Sequence, residues 1–281
     1  MKNIFIVIGT KNSHKIKEIL AIWREFNRHA PPVPGSPPDL SRRAGRSEKT
    51  RLPPAGGQGF VESGYLRDSL RGKNTPIIRF LPLSSFPDIP AVKEDGRTYS
   101  ENAAKKALIW AKNTGYPTLA EDSGIEVKAL KWQPGRYSAR YASLPDSKTD
   151  RNKIRNALYK NNNQKLLDKL HKLSMSKRTA RYRCSAVLAS PQGKIIAKSE
   201  GICRGKIAFK PTGKNGFGYD PIFMPCRKTA DCNQLTFGQL PTKLKHSIGH
   251  RGKALRKIFK KLPQIIDTLQ KKPYIIKATI E

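Results

Sequence analysis

Residues 3–26 read NIFIVIGTKNSHKIKEILAIWREF, and this stretch decides the fold class. The segment Asn3–Gly9 is a continuous run of β-branched and aromatic residues ended by glycine, which predicts a buried strand. From Lys15 to Phe26 the apolar residues recur at positions i, i+3, i+4 and i+7, which predicts a helix with one apolar face. A strand that leads directly into such a helix indicates α/β architecture.

The rest of the chain repeats this alternation. Further strands are predicted at Ile77–Leu83, Ile125–Leu130, Ala180–Ala189 and Lys194–Lys206, and further helices at Tyr99–Thr114, Asp150–Met175 and Lys253–Leu262. Thr98 or Ser100 can cap the helix that begins at Tyr99, and Gly115 ends it. The turn at 190–193 predicts a hairpin, so the sequence favours an α/β fold with a mixed sheet.

Residues 28–76 differ in composition from the rest of the chain. Eight prolines and seven glycines fall among these 49 residues, a density typical of disordered sequence. The segment is predicted to be a disordered insert, either a misassembled stretch or an ordinary flexible loop. Residues 1–27 and 77–281 then form a single domain.

The chain is strongly basic. Its 281 residues carry 55 Lys and Arg against 21 Asp and Glu, a formal net charge of +34. Only +5 of this charge belongs to the insert, so +29 belongs to the predicted domain. A protein that binds nucleic acid without hydrolase activity is therefore the alternative to an enzyme. No recognised nucleic-acid-binding module appears in the sequence, however.

Apolar residues make up 37% of the chain, enough to form a core, so full disorder is excluded. The apolar run near the start, Ile4–Ile8, is far shorter than the ~20 residues that span a bilayer. The four cysteines are too few and too widely spaced for a disulfide scaffold, and their spacing fits no common zinc finger. We expect free thiols, a cytoplasmic location and no membrane contact.

Four polar segments could carry chemistry. The turn from Thr10 to Lys15 opens a helix with unpaired N–H groups and two lysines, as a phosphate-binding turn does, although an ordinary capped helix fits as well. Glu121 and Asp122 follow the short apolar stretch Pro117–Ala120 at a predicted strand end and precede Ser123. They suit Mg²⁺ or an oriented water, unless they are solvated turn residues. Glu94, in a turn upstream, is a candidate second metal ligand.

The glycine-rich loop 213–218 leads into Tyr219 and Asp220. Its glycines allow close backbone approach, Phe217 offers a stacking surface and Asp220 can accept a hydrogen bond from a base, although a tight surface turn is the alternative. The last segment, 243–252, is rich in Lys, His and Arg. Such residues can pair with phosphate or with a keto oxygen, or can simply form a solvated basic surface.

Taken together, these segments resemble the inosine triphosphate pyrophosphatase family, also called XTP/dITP diphosphatases. The stretches that carry the resemblance are TKNSHKIKEI from Thr10, SENAAKKA from Ser100, LAEDSGIEV from Leu119, PGRYSARYA from Pro134, NGFGYDPIF from Asn215 and SIGHRGKAL from Ser247. The resemblance covers about four fifths of the chain. It implies an elongated two-lobed mixed sheet flanked by helices, with the active-site cleft between the lobes.

The resemblance also implies a Mg²⁺-dependent homodimer that cleans the nucleotide pool. Such an enzyme converts ITP, dITP and XTP to the monophosphate and pyrophosphate, with no specific binding to nucleic acid. Asp122 is then the proton acceptor and, with Glu94, the metal ligand. The implied substrate-binding residues are Thr10, Lys11, Asn12, Ser13, His14, Lys15, Ser123, Phe217, Gly218, Tyr219, Asp220, Lys245, His250 and Arg251.

This sequence departs from the family pattern at several positions. Glu121 stands where the family usually has Asp, Lys11 where Gly is common, Gly249 where Ser is usual and Tyr219 where some relatives have Trp. We expect none of these changes to remove a catalytic group, because each leaves the carboxylate at Asp122 and the basic groups around it in place.

Overall fold

A mixed sheet of six strands forms the centre of the computed structural model, which describes residues 3–28, 77–86, 88–143, 151–226 and 234–265. The strands are β1 (Asn3–Gly9), β2 (Ile77–Pro82), β3 (Thr118–Val127), β4 (Thr179–Ala189), β5 (Ile195–Ile207) and β6 (Phe223–Pro225). Their order is β2-β1-β3-β4-β5-β6. The strands β2 and β3 run parallel to β1, and the remaining neighbours pair antiparallel. The predicted α/β class with a mixed sheet is confirmed.

Five helices accompany the sheet in the described part of the chain. They are α1 (Ser13–Arg28), α2 (Tyr99–Thr114), α3 (Arg151–Lys169), α4 (Thr242–Ile248) and α5 (His250–Phe259). The bounds of α2 are those predicted, because both of its ends carry strong signals. The Thr98 side chain accepts a hydrogen bond from the Glu101 N–H at the start, and Gly115 adopts a left-handed conformation at the end.

Three apolar clusters hold these elements together. On one face of the sheet, α1 and α5 pack over β1 and over parts of β3 and β4, with Trp23 against Phe259. On the other face, α2 packs over the same strands through Ala103, Ala107 and Trp110. A third cluster joins α3 to the far ends of β3, β4 and β5. The long strands β3 and β4 therefore run from one packed lobe into another.

Several predicted boundaries were wrong. The strand predicted at Ile125–Leu130 is the second half of β3, which ends at Val127 and continues into a short 3-10 turn. The closing helix begins at His250, three residues earlier than predicted. Neither β6 nor α4 was predicted, since three and seven residues are too few to show a period.

The insert lies almost wholly outside the described residues. Of residues 28–76 the structure describes only Arg28, the last residue of α1. The two free cysteines that the structure describes, Cys184 and Cys203, are buried. Cys226 is disulfide-bonded, so the expectation that every thiol is free was wrong at this position. Among the described residues, no helix combines the length and apolar character that crossing a membrane requires.

A buried arginine ties α3 to the sheet. Arg178 is 1% exposed and lies between α3 and β4. Its guanidinium donates hydrogen bonds to the carbonyl oxygens of Leu170 (2.6 Å), Ile207 (2.8 Å) and Ala208 (2.8 Å). Its own carbonyl accepts from the Ile207 N–H at 3.0 Å. One side chain thus satisfies three buried carbonyl groups where α3, β4 and β5 meet.

We expect Arg178→Ala to lower the free energy of unfolding by about 3–5 kcal/mol, because it removes the three hydrogen bonds that the buried guanidinium donates to backbone carbonyls. Urea unfolding followed by circular dichroism would measure the change. The matched control is Arg204→Ala at an exposed position of β5, which should change the free energy by no more than ~0.5 kcal/mol. Equal unfolding midpoints for the two variants would contradict the role given to Arg178.

Candidate active site

The strand β3 continues past the end of its neighbour β1, and the candidate site lies in the space that this leaves. The last residues paired between the two strands are Gly9 and Ala120. Glu121 and Asp122 follow directly and pair only with β4. They were predicted at a strand end, which was wrong because the strand runs on to Val127.

Consecutive residues of a strand point to opposite faces of the sheet, so Glu121 and Asp122 do not act as one acidic pair. Leu119, two residues before Glu121, belongs to the cluster under α1 and α5. Ala120, two residues before Asp122, belongs to the cluster under α2. Each carboxylate therefore faces a different set of helices, and each is met by cations from those helices.

Glu121 faces a buried network of charges from α1, α4 and α5. The Lys15 ammonium lies 2.7 Å from its Oε1, and the Arg251 guanidinium lies 3.4 Å from the same atom. Arg251 also donates to Glu18 at 2.6 Å, and Lys245 lies 3.3 Å from Glu18. Burial by itself would raise the pKa of Glu18, but Arg251 and Lys245 lower it to about 2. Both Glu18 and Glu121 are therefore ionised at neutral pH, where they hold the three cations in place.

Asp122 faces α2 on the other side of the sheet. Lys106 Nζ lies 3.2 Å from Asp122 Oδ1 and 2.8 Å from Glu94 Oε1, so one ammonium joins the two carboxylates predicted to bind metal. Asn102, one turn before Lys106 on α2, donates to Asp122 Oδ2 at 3.2 Å. Burial raises the pKa of Asp122, and Glu94 and Glu121 add to this rise while Lys106 and Lys15 oppose it.

The turn predicted to bind phosphate is also a capped helix start. The Asn12 side chain accepts from the backbone N–H groups of His14 (3.0 Å) and Lys15 (3.4 Å), as an N-cap residue does. Thr10 in turn accepts from the Asn12 N–H at 3.2 Å. Three of the N–H groups that could have bound a phosphate, those of Asn12, His14 and Lys15, are thus already occupied. The ammonium groups of Lys11 and Lys15 remain beside the opening, the former 3.3 Å from the Ile89 carbonyl oxygen.

The glycine-rich loop holds Phe217 beside two cations. Lys245 Nζ lies 5.0 Å from the centroid of the Phe217 ring, and the Arg251 guanidinium carbon lies 5.4 Å from it. Asp220 fixes the loop, since its Oδ2 accepts from both the Phe217 N–H and Lys245 Nζ at 2.7 Å. Gly216 has φ of 78°, and a Cβ there would lie 2.0 Å from the same Asp220 oxygen, so this position requires glycine.

Tyr219 in the same loop is buried, and its hydroxyl donates to the Ser138 carbonyl oxygen at 2.8 Å. Its ring lines the cleft, but its hydroxyl serves to hold the loop.

His250 and Arg251 begin α5 and are both buried. The His250 imidazole stacks on Tyr182 with a centroid distance of 4.3 Å and an interplanar angle of 5°. Burial, with help from Arg251, lowers the pKa of His250 well below its usual value, so the ring is neutral. Arg251 Nη2 also donates to Ser123 at 3.0 Å. His250 Nδ1 and Arg251 Nε are buried without a hydrogen-bond partner, which is uncommon and marks a position where a ligand group could bind.

The strand β5 sets the position of these two residues. Gly201 on β5 lies so close to α5 that a Cβ there would be 2.0 Å from the His250 carbonyl oxygen and 2.6 Å from the Ala254 N–H nitrogen. The absence of a side chain at Gly201 is what lets the start of α5 approach the sheet.

These groups surround one cleft of about 360 Å³. The predicted site residues that line it are Thr10, Lys11, Asn12, Lys15, Glu94, Asp122, Ser123, Phe217, Gly218, Tyr219, Asp220, Lys245, His250 and Arg251. Ser13 and His14 do not line the cleft. Ser13 accepts from Arg155, and His14 stacks on Phe217 at 5.3 Å.

Sequence reasoning missed several residues of this cleft and of the network beneath it. Lys106, Arg136, Tyr159 and Asn162 line the cleft, and Glu18 lies buried under it. A signal for Lys106 was present, since it follows Asn102 by four residues on a helix face that is otherwise apolar.

This chain is similar to known proteins in sequence and in fold. A model of the Ham1 family matches residues 66–261. The dITP/XTP pyrophosphatase of Geobacter sulfurreducens is 45% identical over 175 residues, which are 62% of this chain and 79% of that protein. The dITP/XTP pyrophosphatase of Nitratidesulfovibrio vulgaris is 40% identical over 199 residues, which are 70% of this chain and 89% of that protein.

Among solved structures, a HAM1 protein from Coxiella burnetii superposes with a TM-score of 0.60 at 30% sequence identity. The superposition covers 93% of this chain and 99% of the Coxiella protein. The family match spans more than half of the chain, and the sequence and structure comparisons agree with the resemblance carried by the motifs. The chain belongs to the Ham1 family.

Proposed function

We propose that this protein hydrolyses non-standard purine nucleoside triphosphates, namely ITP, dITP and XTP, to the monophosphate and pyrophosphate. The observation that carries the proposal is that one cleft joins the carboxylates of Glu94 and Asp122 to a basic aromatic pocket around Phe217. Relatives at 40–45% identity are named dITP/XTP pyrophosphatases, which supports it. The enzyme would thereby remove deaminated purines from the nucleotide pool.

Asp122 is the proton acceptor of the proposed reaction. The oxygen of a water molecule bonds to one of the two phosphorus atoms of the α–β bridge, the bridging P–O bond breaks so that the monophosphate and pyrophosphate separate, and the water gives a proton to the Asp122 carboxylate. A carboxylate is a better base when its pKa is raised towards the working pH, and burial acts on Asp122 in that direction. Asn102 and Lys106 hold the carboxylate in a fixed position.

Glu94 and Asp122 would hold Mg²⁺. The chemistry of the donors fits this ion, because Mg²⁺ prefers oxygen ligands and commonly binds through one or two carboxylates together with substrate phosphates. Within the described residues no cluster of three or more His, Cys, Asp or Glu could hold a metal by itself, so the phosphates and water would complete the coordination. The ion would supply positive charge next to the phosphate oxygens.

The cations around the cleft would bind the triphosphate. Lys15 and Lys245 are the main candidates, together with Thr10, Asn12 and the Ser123 hydroxyl. Lys15 lines the cleft, and its side chain remains 19% exposed while it pairs with Glu121, so it can contact a phosphate bound there. Ser13 and His14, which do not line the cleft, would hold this turn in place through their contacts with Arg155 and Phe217.

Phe217 would stack on the purine, and His250 and Arg251 would read its 6-keto oxygen. Arg251 Nε is a buried donor without a partner, and a keto oxygen is an acceptor that would satisfy it. Adenine carries an amino group at that position and would leave the donor unpaired. We therefore expect ATP to be rejected by ~10²-fold or more.

The homodimer that the motif resemblance implies, and the cytoplasmic location inferred from the cysteine content, stay predictions. The positive charge of the chain favours a polyanionic partner. A triphosphate bound in the charged cleft is such a partner, so the charge does not require binding to nucleic acid. Pyrophosphate release from ITP, XTP, dITP, ATP and GTP with Mg²⁺ would test the proposal. Tight binding of duplex DNA at physiological salt, with no pyrophosphate release from any nucleotide, would overturn it.

We predict that Asp122→Asn lowers ITP turnover by at least ~10³-fold, because the amide cannot accept the proton of the attacking water. Turnover would be followed as pyrophosphate release, and circular dichroism would confirm that the variant is folded. Asp168→Asn, at an exposed position of α3, is the matched control and should retain normal turnover. A folded Asp122→Asn enzyme with near-normal turnover would remove Asp122 from this role.

We predict that Arg251→Lys lowers the preference for ITP over ATP by about tenfold, measured as the ratio of kcat/KM values. Lysine keeps a positive charge beside Glu18 and Glu121, so the buried network retains a cation. Lysine lacks the planar guanidinium of arginine and its Nε donor, however. The matched control is Arg256→Lys on the same helix, whose guanidinium donates to backbone carbonyls of His246 and Ser247 away from the cleft. An unchanged ratio in Arg251→Lys would count against base reading by this residue.

A further inference from the structure

Three aromatic side chains from different elements lie next to one another beside the cleft. They are His14 on α1, Tyr159 on α3 and Phe217 in the glycine-rich loop. The Tyr159 centroid lies 6.1 Å from both other rings, tilted 36° against Phe217 and 45° against His14. Tyr159 and Phe217 line the cleft, and Tyr159 is partly exposed there.

Tyr159 is held at this position by a contact across the cleft. Its hydroxyl accepts a hydrogen bond from Asn12 Nδ2 at 3.3 Å, in the turn proposed to bind phosphate. One turn earlier on α3, Arg155 donates to the Ser13 hydroxyl at 3.3 Å. Both contacts join the first half of α3 to the start of α1.

The second half of α3 is fixed by other means. Leu166, Leu167 and Leu170 pack in an apolar cluster, and Asn162 and Asn163 bond to the backbone of the neighbouring loops. Contacts at both ends of α3 therefore set the position of Tyr159 relative to Phe217: the core holds the second half of the helix, and Asn12 holds the first half. If Tyr159 served only to pack the core, its ring would not need to be exposed in the cleft. A residue that binds a ligand must be exposed there.

We propose that Tyr159 is a further substrate-binding residue, whose ring forms a second aromatic wall of the nucleobase pocket begun by Phe217. Tyr159 and Phe217 line the same cleft with their ring centroids 6.1 Å apart, so a planar purine bound in the cleft beside Phe217 is within reach of Tyr159. The ligand class is a purine base attached to a triphosphate. This inference rests on the proposed function, since it assigns a contact within the same site.

Burial raises the pKa of Tyr159, so its hydroxyl remains protonated and its ring neutral at neutral pH. An uncharged ring next to the triphosphate avoids repulsion between like charges. The Tyr159 hydroxyl and ring then have separate tasks, the hydroxyl in positioning the side chain and the ring in contacting the base.

The test compares Tyr159→Ala, which removes the ring, with Tyr159→Phe, which removes only the hydroxyl. For each variant, kcat and KM are measured with ITP and Mg²⁺. The inhibition constant of inorganic tripolyphosphate, which has no base, is measured in the same assay. Lys160→Ala changes the exposed neighbouring residue and is the matched control.

We expect Tyr159→Ala to raise KM for ITP by about tenfold, the loss usual for one base–aromatic contact, with kcat within about threefold of the wild type. The inhibition constant for tripolyphosphate should stay within about twofold. Tyr159→Phe keeps the ring and loses only the hydrogen bond from Asn12, so it should raise KM by less than Tyr159→Ala, about threefold at most, and Lys160→Ala should resemble the wild type. An equal rise in KM for ITP and in the tripolyphosphate constant would overturn the inference, because it would show that Tyr159 acts on the phosphate turn through Asn12.

An unchanged KM in Tyr159→Ala, with active wild type, would also overturn this inference while leaving the proposed function intact. Wild-type protein that releases no pyrophosphate from any purine triphosphate would instead overturn the proposed function, and the contact assigned to Tyr159 with it. Pyrophosphate release by the wild type therefore distinguishes failure of the Tyr159 inference from failure of the proposed function.

Discussion

The two-residue period of β3 is the constraint on which the rest of this site depends. Because Glu121 and Asp122 are neighbours in a strand, they must point to opposite faces, and each face is covered by different helices. A buried carboxylate is tolerated only if cations or hydrogen-bond donors meet it. Lys15 and Arg251 meet Glu121, and Lys106 meets Asp122. The positions of α1, α2 and α5 on the sheet therefore follow from the same requirement.

The two faces have different chemical tasks. The Glu121 face is a closed network in which every charge has a partner, and its carboxylates hold Lys15, Lys245 and Arg251 in fixed positions before any ligand binds. On the Asp122 face the carboxylates are closer to solvent, with Glu94 33% exposed. Preorganised charges of this kind cost no rearrangement during the reaction. The strong positive charge of the chain is a separate property, since Lys15, Lys106, Lys245 and Arg251 are only four of 55 basic residues and are each paired with a carboxylate.

Much of the fold could be predicted from the sequence because its signals are local. The apolar run of β1, the capped and glycine-ended α2 and the hairpin between β4 and β5 each show their own period or turn. β3 was divided in the prediction because its polar residues 121–123 interrupt the apolar pattern. These residues are stable inside a strand because cations from helices distant in the chain pair with them. No local pattern in the sequence contains that information.

In the candidate site, too, local signals could be read from the sequence and long-range contacts could not. Residues such as Phe217 and Arg251 were found, whereas Glu18 on α1 and Lys106 on α2 were not. Glu18 follows Lys15 by three residues on α1, and this spacing puts both on one helix face, but only the packed structure shows that the face is buried. Tyr159 stood in a lysine-rich helix without a clear apolar stripe, so nothing in its neighbourhood marked it as part of a pocket.

The close approach of Gly201 to the start of α5 bears on how substrate preference can evolve. Gly201 lies behind His250 and does not line the cleft, yet any larger residue there must push the helix start away from the sheet. Such a shift would move the groups proposed to read the base while leaving Asp122 and its partners on α2 in place. A search of random mutants for altered base preference would then recover substitutions on β5 as well as in the cleft. Changes in selectivity could accumulate at a site that never touches the nucleotide.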